Sequence, residues 1–335
     1  MKILGIETSC DETSAAVLTD SFEILGSIVL SQDEIHAPYG GVVPELASRQ
    51  HIASIIYVIE ECLARANLSL KDIDAYAVTQ GPGLIGSLLV GLSVAKGLAY
   101  YFDKPLIPVD HLEAHVESAF IENRDLPFPV LALLVSGGHT SIILLERKLT
   151  FEHIGRTRDD AAGEALDKIA KFLKLDYPGG PVIEKLAAKG NPKEFSFAIP
   201  HMTDGSLDFS FSGLKTAALR HIKKYGISED HPKFFDLLAS FQMAIVRALL
   251  SNMSKSIKIS KPRSLILCGG VAKNAVLRKE FQKMARSFQI PAYIPSPEFC
   301  TDNAVMVAAL AFAKIERQKP GPLNLFLNAY PRKVG

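Results

Sequence analysis

The sequence predicts an α/β fold of two lobes with a cleft between them, and three observations carry that expectation. Short apolar runs rich in Val, Ile and Leu alternate with longer stretches of helical period through the 335 residues. The alternation occurs twice, and each half opens on strands. Strands in both halves end in turns built from glycine, hydroxyl or acidic residues, which suit a ligand at strand carboxyl ends.

Lys2–Thr8 reads as the first strand, with Ser14–Thr19 and Ile24–Leu30 continuing as a meander. Ile52, Ile55, Ile56, Ile59 and Leu63 recur at helical spacing, which predicts a helix over Glu45–Ala66. Asp74–Thr79 is a short strand, and Gln80-Gly-Pro-Gly-Leu-Ile-Gly86 is a turn into a helix over Ser87–Tyr101. Strand Leu106–Val109 hands over to helix His111–Glu122. Asn123–Pro129 is polar and proline-containing and reads as a hinge. The pattern then restarts with strands Val130–Ser136 and Ser141–Glu146. From about 155 to 260 it is mostly helical, with many Lys and Arg. Ser264–Cys268 is a strand followed by a helix through Phe288, then a short strand Ala292–Ile294 and a terminal helix Thr301–Glu316. The lobes are expected at 1–125, with a terminal helix of about 302–320 packing back on it, and 126–301, with a largely helical insertion at about 155–260. The proline-containing tail 319–335 is expected on the surface.

Apolar residues make up 48% and charged residues 22%, as in soluble globular chains. No apolar run reads as a membrane span; the best, Leu88–Tyr101, is interrupted by Lys96 and two glycines. The chain enters a strand at once, so no signal or transit segment is expected. Cys10, Cys62, Cys268 and Cys300 form no C-x-x-C pair and read as reduced thiols of a cytosolic protein. The net charge of +1 conceals an asymmetry: residues 1–130 carry 7 Lys and Arg against 18 Asp and Glu, and the remainder 30 against 18. An acidic lobe and a basic lobe follow, and the basic one fits a polyanion such as nucleic acid.

His111-Leu-Glu-Ala-His115 puts two imidazoles one helical turn apart on one face, a spacing that can hold one metal ion. Two surface histidines would give the same pattern, so a third ligand decides. Asp302 in Cys300-Thr-Asp-Asn303 can be that ligand or the N-cap of the terminal helix. Three turns share one logic: Ile6-Glu-Thr-Ser-Cys-Asp-Glu-Thr13, Leu134-Val-Ser-Gly-Gly-His-Thr140 and Leu265–Asn274. In the latter two, paired glycines let backbone N–H groups approach a phosphate or nucleoside with no Cβ in the way. None has the Gly-Lys-Ser/Thr of a Walker loop. Asp167 is either an ordinary helix acid or a carboxylate for a ribose, and the turn at Pro178–Pro181 can bring backbone to the same ligand. Phe209-Ser-Phe-Ser-Gly-Leu-Lys215-Thr216 reads as structural.

Taken together, these motifs resemble the tRNA N6-adenosine threonylcarbamoyltransferases (TsaD type, formerly named O-sialoglycoprotein endopeptidases). The resemblance rests on Gly5–Thr13, His111-x-x-x-His115, Leu134–Gly138, Asp167, Tyr177–Pro181, Phe211–Lys215, Gly269–Asn274 and Asp302, and Tyr39–Arg49 is similar to the bacterial branch. It implies an actin-like, sugar-kinase-like ATPase fold and transfer of threonylcarbamoyl from threonylcarbamoyl-AMP to N6 of adenosine 37 in tRNAs reading ANN codons. It implies one Fe(2+) or Zn2+ on His111, His115 and Asp302. It also implies contacts to the adenylate substrate, or to ATP, ADP or AMP, from Leu134, Val135, Ser136, Gly137, Gly138, Asp167, Gly180 and Asn274. Where many members have Asp, this chain has Glu184, which keeps the carboxylate on a longer arm. Glu12 and Asp11, at the first strand turn, are candidates to take the N6 proton. The implied partners are tRNA, a smaller paralogue and a small ATPase, with no membrane. Two other readings are a non-catalytic nucleotide-binding scaffold of the same fold and a metalloprotease. The second conflicts with the residues, because Glu113 stands mid-motif and not beside the first His.

Overall fold

The computed structural model describes residues 1–200, 202–317 and 328–331. The chain forms two compact units, Met1–Arg124 with Thr301–Gly335, and Asp125–Cys300.

The first unit opens with β1 (Lys2–Glu7), β2 (Glu12–Thr19) and β3 (Ile24–Ser31), an antiparallel meander. A short helix α1 (Asp33–His36) and the long α2 (Pro44–Ala66) follow, then β4 (Ala75–Gly81), α3 (Ile85–Phe102), β5 (Leu106–Asp110) and α4 (His111–Glu122). The sheet order is β3-β2-β1-β4-β5, with β4 parallel to both β1 and β5. α2 and α3 pack on the sheet and on each other.

The second unit repeats the plan. β6 (Val130–Val135), β7 (Thr140–Leu145) and β8 (Glu152–Arg156) form an antiparallel meander. Four helices follow, α5 (Ala162–Phe172), α6 (Gly179–Ala187), α7 (Ser212–Tyr225) and α8 (Phe234–Ser260). Then come β9 (Ser264–Cys268), α9 (Ala275–Ser287) and β10 (Ala292–Tyr293). The order β10-β9-β6-β7-β8 is the same three-strand meander with two parallel strands added beside its first strand. Both faces of β6 are buried, which explains its unbroken apolar run.

The last helix, α10 (Ala304–Arg317), belongs to the first unit and packs on β1, β2 and α4. Gly5 makes that approach possible: a Cβ there would stand 2.5 Å from the Ala304 carbonyl. Ser14 Oγ accepts from the Ala304 N–H at 2.9 Å, which ties the start of α10 to β2.

Strand Glu152–Arg156 enters the stretch 155–260, and among the described residues between Ala187 and Ser212 there is no helix; α5 to α8 cover most of the rest. One expectation needs correction. Two helices, α3 and α8, are long and apolar enough to cross a membrane by length and composition, yet α8 buries two-thirds of that window inside its own unit. It does so as a core helix, with Leu237, Leu238, Phe241, Ile245 and Leu249 in the cluster under the second sheet. The tail 319–335 lies mostly outside the described residues; in its described part, 328–331, Asn328 and Pro331 are exposed and Tyr330 is half-buried.

Candidate metal centre

α4 begins where β5 ends, and the N-cap between them is Asp110. Its Oδ1 accepts from the N–H groups of Leu112 (2.9 Å) and Glu113 (3.0 Å), two donors the first helical turn leaves unpaired. The cap starts the helix at His111, so His111 and His115 share one buried face. Their ring centroids are 4.7 Å apart at 76°. Asp302 reaches the same point from the other end of the chain: its Oδ1 is 3.0 Å from His115 Nε2 and 3.5 Å from His111 Nε2. One ligand atom from each residue lies within 4.8 Å of the others.

The alternative role for Asp302, capping α10, falls to its neighbour. Asn303 Oδ1 accepts from the Met306 N–H at 3.0 Å. Because Asn303 caps and Ser14 holds Ala304, the Asp302 carboxylate faces the two imidazoles.

The turn Ile6–Thr13 stands out in the sequence, but nothing there assigns Glu7 and Ser9 their place behind this set. His111 Nδ1 is 3.1 Å from Glu7 Oε2, where β1 ends, and 3.1 Å from Ser9 Oγ. Glu7 is fully buried and also accepts from the Thr79 hydroxyl (2.6 Å) and the Ser9 N–H (2.5 Å). With Nδ1–H donated to Glu7, the His111 Nε2 lone pair is turned toward Asp302 and His115, the arrangement of a carboxylate behind a metal-ligating histidine. The signal was an acid closing an apolar strand, Ile6-Glu7.

The electrostatics fit a cation. Burial pulls the His111 imidazole down, but Asp302, Glu7 and Asp110 outweigh it and raise it to about 9. Burial pushes the Glu12 carboxyl well above the usual range, and Asp11 and Asp302 push it further. Burial also raises Asp11, with Asp302 and Asp33 adding to it. The structure therefore brings Asp11 and Glu12 into the same acidic cluster as Asp302. His115 Nδ1 is buried with no hydrogen-bond partner among the described residues. Two imidazoles and a carboxylate, with further carboxyl groups around them, form a donor set able to hold a metal ion. Glu113 lies off this face, 3.7 Å from Lys314 of α10.

The second unit gathers the remaining sequence candidates in three places. Leu134 and Val135 are wholly buried in β6, between β7 and β9. In the turn, Ser136 N–H donates to the His139 carbonyl (2.8 Å) and Ser136 Oγ accepts from the His139 N–H (3.0 Å), leaving Gly137 exposed and Gly138 half-buried. A Cβ on Gly137 would meet nothing within 4 Å, so packing does not demand this glycine. Gly269 differs: its φ is +90° and a Cβ would stand 2.4 Å from the Val135 carbonyl, so it is glycine for the fold. Asp167 Oδ1 accepts from the N–H groups of Gly179 (2.9 Å) and Gly180 (3.2 Å) at the start of α6, which brings Asp167 and Gly180 together. Glu184 Oε1 accepts from Ala275 N–H (2.7 Å), beside Asn274, whose Oδ1 caps α9 at Leu277 (2.9 Å) and whose Nδ2 donates to Gln242 (2.9 Å). Phe209–Thr216 is structural: Asp159 accepts from Phe211 N–H (2.8 Å) and Lys215 pairs with Asp160 at 2.5 Å.

The family model for tRNA N6-adenosine threonylcarbamoyltransferase (TsaD) matches residues 23–309. A tRNA N6-adenosine threonylcarbamoyltransferase of Clostridium perfringens is 48% identical over 329 residues, covering 98% of this chain and 96% of that protein. One of Moorella thermoacetica is 46% identical over 332 residues, with 98% and 96% covered. Among solved structures, a ROK family glucokinase from Streptomyces griseus aligns at TM-score 0.52 with 12% identity, over 92% of this chain and 99% of that one. The activator of 2-hydroxyisocaproyl-CoA dehydratase from Clostridium difficile aligns at 0.55 with 17% identity, over 97% and 100%. These two show the fold alone: a two-lobed α/β architecture of the actin-like, sugar-kinase-like class. The chain belongs to the tRNA N6-adenosine threonylcarbamoyltransferase family, enzymes that transfer a threonylcarbamoyl group to adenosine 37 of tRNA.

Proposed function

We propose that the donor is threonylcarbamoyl-AMP, that the acceptor is N6 of adenosine 37 in tRNAs reading ANN codons, and that iron or zinc sits on His111, His115 and Asp302. The observation that carries the metal reading is the convergence of three ligand atoms within 4.8 Å, with Glu7 behind His111. Metal held there supplies Lewis-acid polarisation of the carbamoyl carbonyl and a grip on the threonyl part.

The chain's own residues do the rest. The backbone of Ser136–Gly138 and the starts of α6 and α9, with Asp167, Gly180, Glu184 and Asn274, hold the adenylate. N6 attacks the carbamoyl carbon, the bond to phosphate breaks, and AMP leaves with the electron pair. Holding both reactants removes much of the entropic barrier to this step. Glu12 or Asp11 takes the N6 proton; a carboxyl raised by burial is closer to the working pH, where a general base is most effective.

The tRNA lies on the second unit, which carries 25 Lys and Arg against 17 Asp and Glu over 125–300. The smaller paralogue docks on the first unit, where Ile52, Ile56 and Tyr57 of α2 and Ile85 and Leu89 of α3 stand exposed. A small ATPase completes the assembly, and the work is done in the cytoplasm, where the tRNA is.

The test is mass-spectrometric detection of threonylcarbamoyl-adenosine after mixing tRNA, threonylcarbamoyl-AMP and the protein, with and without its partners. His111→Ala and His115→Ala should abolish the product. Turnover retained in both would overturn the metal reading and favour a scaffold.

A further inference from the structure

The geometry points to Asn328–Pro331 as a strap that holds the start of α4 and the adjacent glycine turn in place, with Tyr330 a positioning residue for the His111–His115–Asp302 centre. The inference rests on reading that centre as a metal site.

Tyr330 is joined to the centre by two routes. The first passes through Asp110. The Tyr330 hydroxyl donates to Asp110 Oδ2 at 2.5 Å, while Asp110 Oδ1 accepts from Leu112 and Glu113 at 2.9 and 3.0 Å. One oxygen of this carboxylate holds the strap and the other holds the helix, one residue before His111. A carboxylate fixed on both oxygens cannot rotate away from its cap.

The second route passes through Gly81-Pro82-Gly83. Tyr330 N–H donates to the Gln80 carbonyl (3.1 Å), Gln80 Nε2 donates to the Asn328 carbonyl (2.6 Å), and Pro331 bridges to Gly83. The strap lies so close that a Cβ on Gly81 would stand 2.4 Å from the Tyr330 carbonyl oxygen and 2.7 Å from Cδ2 of its ring. Past the turn, Leu84 N–H donates to the Ser9 carbonyl at 2.8 Å, and a Cβ on Gly83 would stand 2.5 Å from that same oxygen. Ser9 Oγ in turn is 3.1 Å from His111 Nδ1. The glycines of this turn are thus required by two close backbone approaches, from the strap and from Ser9. Both routes end on groups that orient the His111 ring.

The test is Tyr330→Phe, which removes one hydroxyl and keeps the ring, with Tyr100→Phe on the exposed face of α3 as control. Amide hydrogen exchange is followed in chelator-treated protein, and Co2+ is titrated by its visible d–d absorption. The expected result is faster exchange at Leu112 and Glu113, a Co2+ dissociation constant raised about tenfold, in the range for lost outer-shell support, and an altered d–d band. The control should change none of these. Unchanged exchange in Tyr330→Phe would overturn the strap, and faster exchange with an unchanged Co2+ affinity and band would overturn its link to the centre. Co2+ binding that survives His111→Ala would instead defeat the metal reading, and the exchange result would still judge the strap by itself.

Discussion

His115 Nε2 stands 3.0 Å from Asp302 Oδ1, although 187 residues separate the two in the chain. The pairing depends on two elements: a helix capped at Asp110, which sets the rotation of the imidazole, and a helix capped at Asn303, which leaves the preceding carboxylate facing it.

Glu7 is expected to set metal affinity without touching the metal. Glu7→Gln keeps the side-chain shape but replaces a carboxylate behind His111 with a neutral amide. Affinity for Zn2+ should fall about 10–100-fold, the usual cost of losing such a partner. Competition with a chromogenic chelator measures it, and an unchanged constant would remove the orienting role assigned from the 3.1 Å contact.

Metal binding should be strongly pH-dependent. In chelator-treated protein the His111 imidazole is raised to about 9. Its charged form therefore stabilises the fold fully below the free-histidine value of about 6.5. That contribution is lost as pH rises through about 9. A ligand nitrogen must shed this proton, so affinity should climb about tenfold per pH unit until His111 is neutral. Calorimetry in two buffers of different ionisation enthalpy should count one proton released at pH 7; none released would contradict the assignment.

The two glycine positions should behave oppositely. Gly137→Ala meets open space, so stability should stay within about 0.5 kcal/mol, while the KM for threonylcarbamoyl-AMP rises about tenfold, or about 1.4 kcal/mol. Gly269→Ala adds a Cβ 2.4 Å from a carbonyl oxygen at φ +90°. It should cost more than about 2 kcal/mol of stability. Chemical denaturation and steady-state kinetics separate the two effects, and a normal KM in Gly137→Ala would argue that the turn does not meet the donor.

Asn303→Ala removes the cap of α10, which should cost about 1 kcal/mol and also weaken metal binding by loosening Asp302. Asn303→Ser, which keeps an acceptor at the cap, should restore both. Thermal unfolding and metal titration together check this; lower stability with normal affinity would mean that other contacts hold Asp302.

Binding of tRNA should weaken steeply with salt, because the second unit presents the basic charge and phosphate contacts release counterions. A filter-binding series from low to physiological salt gives the slope. A flat line would rule out the electrostatic footing of the tRNA assignment.

The sequence displayed the metal centre only in part. His111 and His115 were legible because an i, i+4 pair announces itself on any helix, and the bounds His111–Glu122 follow from the acidic cap before them. Asp302 was ambiguous because an acid ahead of a helix is equally a cap, and only the contact of Asn303 with Met306 assigns the two roles. Glu7 and Ser9 stand in the turn Ile6–Thr13, but their role was not legible because it lies in a contact across more than a hundred residues. β8 escaped notice because its exposed residues Glu152, His153 and Arg156 mask the strand alternation. The glycines of 80–86 looked like ordinary turn formers; the requirement at Gly81 comes from Tyr330 at the far end of the chain, and that at Gly83 from the Ser9 carbonyl.

The first unit is discontinuous, since its sheet and both histidines precede the entire second unit and its α10 and Asp302 follow it. Synthesis proceeds from the N-terminus, and domains fold as their residues emerge. The histidine pair is therefore made early and must wait through the whole second unit for its carboxylate. A chain interrupted before Thr301 would carry the two imidazoles without the carboxylate that completes the three-residue set.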